Sequence, residues 1–279
     1  MKTDILLLIL ILISPLFLKN HFLLSVITLA VIYSCLSLSW YFMERYTGWV
    51  SLSHSIPFGL AAYALAVNPY LLIPAIVFTI LIFFLMSLLG RERFLFGTLI
   101  LTVVFWYLSH YIVLSENGEL IGGEEGFSYA SIGVLNSYIL SSIILLSAFF
   151  LLLRISKSSF GLKIAATRDD EIAARSIGID VFRVRAMSFA ISATLAAIAG
   201  ICYILYFGHV SPDVFSIEVA LLPFIASLLA GSRWISPIAG TFLVVMVSRM
   251  MGMEIHLFLY AAVLILSPKL SRWWNAEAH

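Results

Sequence analysis

Residues Thr167–Gly178 read TRDDEIAARSIG and lie in the one long charged segment of a chain that is otherwise mostly apolar. Thr167 is a good N-cap, and Asp169, Asp170 and Glu171 then fall in a first turn, where the helix dipole favours negative charge. Gly178 is a natural C-terminal stop. The stretch predicts a helix of about ten residues, half of the roughly 20 that a membrane span needs. Leu162, Ala165, Ile172, Ala173 and Ile177 form one face, and Arg168, Glu171 and Arg175 the other, with Glu171 and Arg175 paired at i,i+4. A short amphipathic helix with alanines on one face suits docking against another protein. The same residues also fit a solvated or membrane-surface connector.

The surroundings make this helix an exception. Of 279 residues, 62% are hydrophobic and 11% charged, where a soluble domain carries about 25% charged residues. The chain is therefore a polytopic membrane protein. Its net charge of +1 offers no bulk basicity for nucleic acid. Cys35 and Cys202 stand alone in apolar runs and form neither metal spacing nor a disulfide framework. Lys2 precedes an apolar run to Leu18, but Ser14–Lys19 offers no small-residue cleavage site, so a retained first span is expected.

Apolar runs mark about ten segments, at 5–18, 22–43, 51–67, 70–89, 94–114, 138–153, 185–207, 215–230, 235–251 and 253–267. The expected fold is an all-α polytopic bundle of about 8–10 transmembrane segments. It forms a single membrane domain over 1–279, with broken helices and a polar loop at 154–185. Pro57 and Pro223 interrupt the third and eighth segments.

Positive charge sets the orientation. With 154–185 placed in the cytoplasm, Arg45, Arg91, Arg93, Arg233, Lys269, Arg272 and Lys2 also fall inside. Lys19 and Arg249 fall outside, and so does 115–137, with Glu116, Glu119, Glu124 and Glu125. Both termini are then cytoplasmic.

Three stretches do not read as plain spans. Gly48–Tyr63 clusters Ser51, Ser53, His54 and Ser55 ahead of Pro57 and Gly59. A proline inside a helix frees backbone groups that must face protein or a water-lined cavity. Ile121–Phe127 holds Gly122, Gly123 and Gly126 beside two carboxylates, a composition for tight non-helical backbone. Gly231–Gly240 is another serine–proline–glycine break, and its loose likeness to the first reads as a trace of an internal repeat. Ser192, Ala196 and Gly200 make a small-xxx-small stripe, which serves either packing within the bundle or a subunit interface.

The run Phe160–Asp213 resembles the LivM-type permease subunit of branched-chain amino-acid ABC importers. The residues that carry the likeness are Gly161, Ala166, Arg168, Asp169, Glu171 to Ala174, Gly178 and Ile179. Ser192 to Gly200, Tyr203 and Val210 to Asp213 then follow. Gly48-Trp-Val-Ser51-Leu-Ser-His54 with Phe58-Gly59 and Ala62-Tyr63, and Gly122-Gly123-Glu-Glu-Gly126, are similar to two further motifs of that family. Ser53 and Ala61 stand where the family has glycine, and Ile121 where it has threonine.

The resemblance implies an ATPase-coupling helix carrying Arg168, Glu171, Ala173, Ala174, Arg175 and Gly178. It also implies a substrate pathway along Ser51, Ser53, His54, Tyr63, Gly122, Gly123 and Gly126. The partners it implies are ABC ATPase subunits, a second permease, an extracytoplasmic solute-binding protein, the small-molecule substrate and the lipid bilayer. No G-x-x-x-x-G-K-[ST] phosphate loop occurs, so no cofactor is expected on this chain, and ATP and Mg²⁺ would be used by a partner. The chain reads as a transport subunit, not an enzyme. A permease for urea or another small solute, and an ion-coupled transporter using Glu218 and Glu254, remain the alternatives.

Overall fold

The computed structural model describes residues 20–88, 90–116, 119–230 and 233–251, together with residues 8, 12, 15, 260, 261 and 263 individually. In chain order these form α1 (His21–Thr47), α2 (Ser55–Val67), a 3-10 turn (Pro69–Leu71) leading into α3 (Leu72–Ser87), and α4 (Arg91–Ser109). A hairpin follows, β1 (Val113–Glu116) with β2 (Glu119–Gly122), then a 3-10 turn (Gly123–Glu125) and β3 (Phe127–Ser128). Next come α5 (Val134–Ser156), α6 (Ser159–Asp169), α7 (Glu171–Ser176) and α8 (Val181–Phe207). The chain continues through β4 (His209–Val210), a 3-10 turn (Pro212–Phe215), α9 (Ile217–Ala230) and α10 (Ser236–Met251).

Eight of the ten expected segments correspond to helices. Those at 5–18 and 253–267 lie outside the continuously described residues. Five helical stretches are long and apolar enough to cross a membrane: His21–Thr47, Pro69–Ser87, Arg91–Ser109, Val134–Ser156 and Val181–Phe207. The helices α2, α9 and α10 are shorter and also apolar. The chain is an all-α, multi-pass membrane bundle.

Helix α1 is its axis. Its 27 residues rise about 40 Å at 1.5 Å each. It packs against α5, α6, α8, α9 and α10. In its most apolar window 78% of residues are buried, against 17% for Pro69–Ser87 and 22% for Arg91–Ser109, which present broad apolar faces outward. Being central, α1 must satisfy its own polar groups. Thr28, Ser34, Ser39 and Thr47 donate to carbonyl oxygens one turn back, at 2.6–2.7 Å, so buried hydroxyls are not orphaned.

Close helix contacts are set by small residues. A Cβ on Gly200 of α8 would overlap the Phe58 carbonyl of α2, and one on Gly240 of α10 would overlap the Ala226 carbonyl of α9. Ser192, Ala196 and Gly200 are all buried, and Ser192 Oγ donates to Ser39 O of α1 at 2.8 Å. Of the two readings of that stripe, packing within the chain is the one the structure shows.

The structure corrects the expectation at Pro57. This residue is the third of α2, in a first turn whose N–H groups lack intrahelical partners anyway, so it kinks nothing. The interruption lies upstream, at residues 48–54. Pro223 does lie inside α9. The loop between α4 and α5 also contains an unforeseen hairpin, with Glu116 opposite Glu119 and Val113 opposite Gly122.

The tight α2–α8 crossing sets a clear expectation. Gly200→Ala should destabilise the protein by about 1–3 kcal/mol through overpacking, seen as a lower apparent Tm in detergent. Ser147→Ala, on the exposed side of α5, should leave it unchanged.

Candidate functional site

The charged loop is built as two helices, not one. Helix α6 runs on through Thr167 to Asp169. Thr167 is buried, and its hydroxyl donates to Lys163 O at 2.9 Å, so it does not cap. Asp170 is the N-cap, with extended backbone (φ −153°) and a carboxylate accepting from Ile172 N at 2.8 Å and Ala173 N at 3.0 Å. The expected helix of about ten residues is therefore the six-residue α7, set at an angle to α6 by that cap. Gly178 closes it as expected, at φ +83°, with open space where a side chain would begin.

The expected amphipathic faces are rearranged accordingly. Leu162, Ile172 and Ile177 are exposed, at 70–79% of their surface, and Ala173, Arg175 and Gly178 are exposed with them. Ala174 is buried inside the chain. The Glu171–Arg175 pair exists at 3.8 Å between two well-exposed groups, an arrangement worth little by itself. Beside Gly178 lies a cleft of about 400 Å³ lined by Phe160, Lys163, Ile177, Ile179, Val184 and Met187, among others.

Glu171 has a stronger partner. Its carboxylate meets the Arg185 guanidinium at the start of α8. The Arg185 side chain is only 11% exposed and lies 4.2 Å above the Trp49 ring centroid. A cation over an indole face is electrostatically favoured, more so when shielded from water. Trp49 is buried and meets Phe94 and Phe189 edge-on, with centroids 5.1 and 6.0 Å away. Arg168 reaches the same place from α6, donating to Arg45 O at the end of α1. Gly48 caps α1 beneath Arg168 and Arg91, and cations suit a helix C-terminus. The loop 159–178 is thus fastened to the last turn of α1 and, through Arg185, to Trp49 in the 48–54 break.

That break is buried irregular backbone, which a membrane interior tolerates only when its polar groups are satisfied. Trp40 Nε1 donates to Ser51 O at 2.6 Å, and Thr102 Oγ1 donates to Leu52 O at 2.6 Å. Leu52 N donates to Thr98 Oγ1 at 3.1 Å. Ser51 and Ser53 hydroxyls lie 3.1 Å apart. His54 Nε2 is 2.8 Å from Ser192 Oγ. Because the Ser192 proton is used on Ser39 O, His54 must be the donor to Ser192. The neutral ring then offers Nδ1 as an acceptor, and neither that atom nor Ser55 Oγ has a hydrogen-bond partner among the described residues. The break is thus well held and keeps two unused polar atoms.

The remaining pathway candidates lie at the other end of α2. Tyr63 is eight residues from Ser55, about 12 Å along the helix, and its hydroxyl is buried without a partner among the described residues. Its ring meets Phe127 at 5.7 Å and Phe215 at 5.3 Å. Gly126, at φ +72°, lies so close to the Val210 carbonyl that a Cβ would overlap it, and that approach lets β3 pair with β4. A Cβ on Gly122 would likewise meet Ile112 O, while Gly123 is buried at the start of its 3-10 turn. The seven candidates therefore form two groups, Ser51, Ser53 and His54 at the basic end of α2, and Tyr63, Gly122, Gly123 and Gly126 at the hairpin end. No group of three or more His, Cys, Asp or Glu suited to a metal occurs among the described residues, and both cysteines are free and buried.

Sequence reasoning singled out the stretch that holds Trp49 but missed its contact with Arg185, and it missed Thr98 and Thr102 as parts of this region. Trp49 and Arg185 meet across 136 positions of chain, and no local pattern announces such a contact. A double-mutant cycle of Glu171→Gln with Arg185→Gln, read by unfolding in detergent, should give a coupling of about 1–3 kcal/mol. A value near zero would reduce the pair to a screened surface bridge.

The family described as branched-chain amino acid transport system / permease component matches residues 22–268. A probable branched-chain amino acid transport permease protein LivM of Methanocaldococcus jannaschii is 29% identical over 129 residues, covering 43% of this chain and 37% of that one. High-affinity branched-chain amino acid transport system permease proteins LivM of Salmonella typhimurium and Escherichia coli are each 27% identical over 138 residues, covering 50% of this chain and 28% of theirs. The matched part thus spans about a third of the length of these relatives. No solved structure matches the chain. The family match takes in every described element from α1 to α10, and the chain belongs to this family of branched-chain amino acid transport permease components.

Proposed function

We propose that this chain is one of two membrane subunits of an ATP-driven importer for branched-chain amino acids. The observation that carries the reading is the α6–α7 loop. It exposes Ile172, Ala173 and Ile177 to a partner while Glu171 and Arg168 tie it to Trp49 and Arg45. A partner pressing on α7 would therefore move the 48–54 break rather than bend a loose connector. The partner is an ATPase subunit, received by the exposed apolar residues and the cleft beside Gly178, with Arg175 setting orientation more than affinity.

Charge supports the placement. Arg45, Arg91, Arg93, the cations of 154–185 and Arg233 gather at one end of the helices, and Glu116, Glu119, Glu124 and Glu125 at the other. The first end is cytosolic by the positive-inside rule, the membrane is the cell membrane, and both termini lie in the cytosol. A solute-binding protein delivers cargo to the hairpin end. A second permease of related type completes the pathway. In this reading Tyr63 and the glycine backbone receive the solute, and His54 and the two serines pass it on through the break. The access switch is a rigid-body change around that break.

Reconstitution with the partner subunits in liposomes tests the proposal. Ile172→Glu puts a charge on the docking face. It should leave insertion and Tm unchanged and lower ATP-driven leucine uptake by about tenfold or more, the size of a hot-spot loss. Normal uptake would refute the role of α7.

A further inference from the structure

We propose that the place where α1 ends and α4 begins binds the phosphate of an anionic glycerophospholipid, whose acyl chains lie along the outer faces of α3 and α4. Gly48 closes α1, and a Cβ there would lie 3.2 Å from Arg91 Nη2 and 3.3 Å from Arg168 Cγ. Two arginines, from α4 and α6, thus flank one small space. Arg168 is accounted for, since it donates to Arg45 O. Arg91 is not. It is exposed, and among the described residues neither it nor Arg93 forms an ion pair. The end of α1 supplies about half a negative charge, less than two guanidiniums bring. The carboxylates nearby are Glu44, on which Arg168, Arg45 and Arg91 all act, and the exposed Glu92 in the first turn of α4. One is shared among three cations and the other faces solvent, so the Gly48 corner retains a call for an anion.

Helix α4 favours a phosphate there. Its N-cap is Gly90, which has no side chain to accept from the first-turn N–H groups, and such amides at the positive end of a helix suit a phosphate. The guanidiniums add forked donors that match phosphate oxygens. Below the cations the surface is apolar. Arg93, Phe96 and Ile100 are exposed at i, i+3 and i+7, so Arg93 heads an outward apolar stripe. Leu85 and Leu88 are exposed at the adjoining end of α3. Arg91–Ser109 is long and apolar enough to cross a membrane, and only 22% of its most apolar window is buried. A stripe that continues from the cations along such a helix lies in the bilayer, where lipid chains can cover it and a soluble partner cannot. Charge then selects the lipid. Phosphatidylethanolamine carries an ammonium that Arg91 and Arg168 would repel. Phosphatidylglycerol brings the same phosphate with a neutral glycerol.

The full chain, delipidated in a neutral detergent, is titrated with short-chain phosphatidylglycerol, short-chain phosphatidylethanolamine or inorganic phosphate. Native mass spectrometry reads bound lipid, and thermal unfolding reads Tm. Phosphatidylglycerol should bind and raise Tm, and the other two should do neither at the same concentrations. Arg91→Gln should leave the lipid-free Tm unchanged and weaken phosphatidylglycerol binding by about tenfold or more, the loss of a charge-assisted hydrogen bond. Arg91→Lys should recover part of that loss, because the charge returns without the fork. Arg154→Gln removes an exposed cation at the end of α5 and should bind as the wild type does. Equal binding of the two lipids, or unchanged binding by Arg91→Gln, would overturn the site. A loss in Arg154→Gln as large as that in Arg91→Gln would also overturn it, leaving diffuse attraction to a basic surface. Inorganic phosphate binding as tightly as phosphatidylglycerol would replace the lipid by a free anion. An Arg91→Gln chain that keeps the lipid but no longer holds the ATPase subunit would give these cations to the protein partner instead.

Discussion

The backbone of residues 48–54 is buried and irregular, and the rest of the bundle is arranged to keep it so. In hydrocarbon each unsatisfied amide or carbonyl costs several kcal/mol. Here Trp40 comes from α1, and Thr98 and Thr102 come from α4, to bond the carbonyls of Ser51 and Leu52 and the Leu52 amide. His54 and Ser192 join the end of the break to α8, and Ser192 in turn bonds α1. Three helices thus share the work of holding one short non-helical segment. Moving any of them changes the hydrogen bonding of the break, which makes it a natural point of control.

The route to that point begins at the surface. The carboxylate of Glu171 holds Arg185, Arg185 covers Trp49, and Trp49 opens the break. The Arg185–Trp49 link is shielded from water, and Glu171 reaches that buried guanidinium from a half-exposed position. The contrast with Glu171–Arg175 is instructive. That pair was legible from i,i+4 spacing but lies at 3.8 Å between exposed groups, whereas the pair with consequences spans 14 residues and was not legible.

The same division runs through the fold. Long apolar runs separated by charge were enough to place α1, α3, α4, α5 and α8, because a bilayer leaves helices few alternatives. Local choices were harder. Thr167 and Asp170 are both good caps, and only the burial of Thr167 against neighbouring helices decides for Asp170. Pro57 is compatible with a kink or with a first turn, and the position of the break before it decides for the turn. The hairpin had a local signal, since the sequence carries Asn117-Gly118 between two short strand-forming runs; the glycines at 122–126 drew the reading toward an irregular loop. The candidate pathway residues were found by composition, but composition could not say that α2 separates them into two groups.

The central claim is that α7 faces the cytosol and is covered by a separate ATPase. Cysteine labelling tests it directly, because Cys35 and Cys202 are buried and Ile172 is exposed. Ile172→Cys in sealed, oriented vesicles should react with an impermeant maleimide only from the cytosolic side, and the reaction should be blocked when the ATPase subunit is bound. Labelling from the opposite side, or labelling that the ATPase does not affect, would contradict the account.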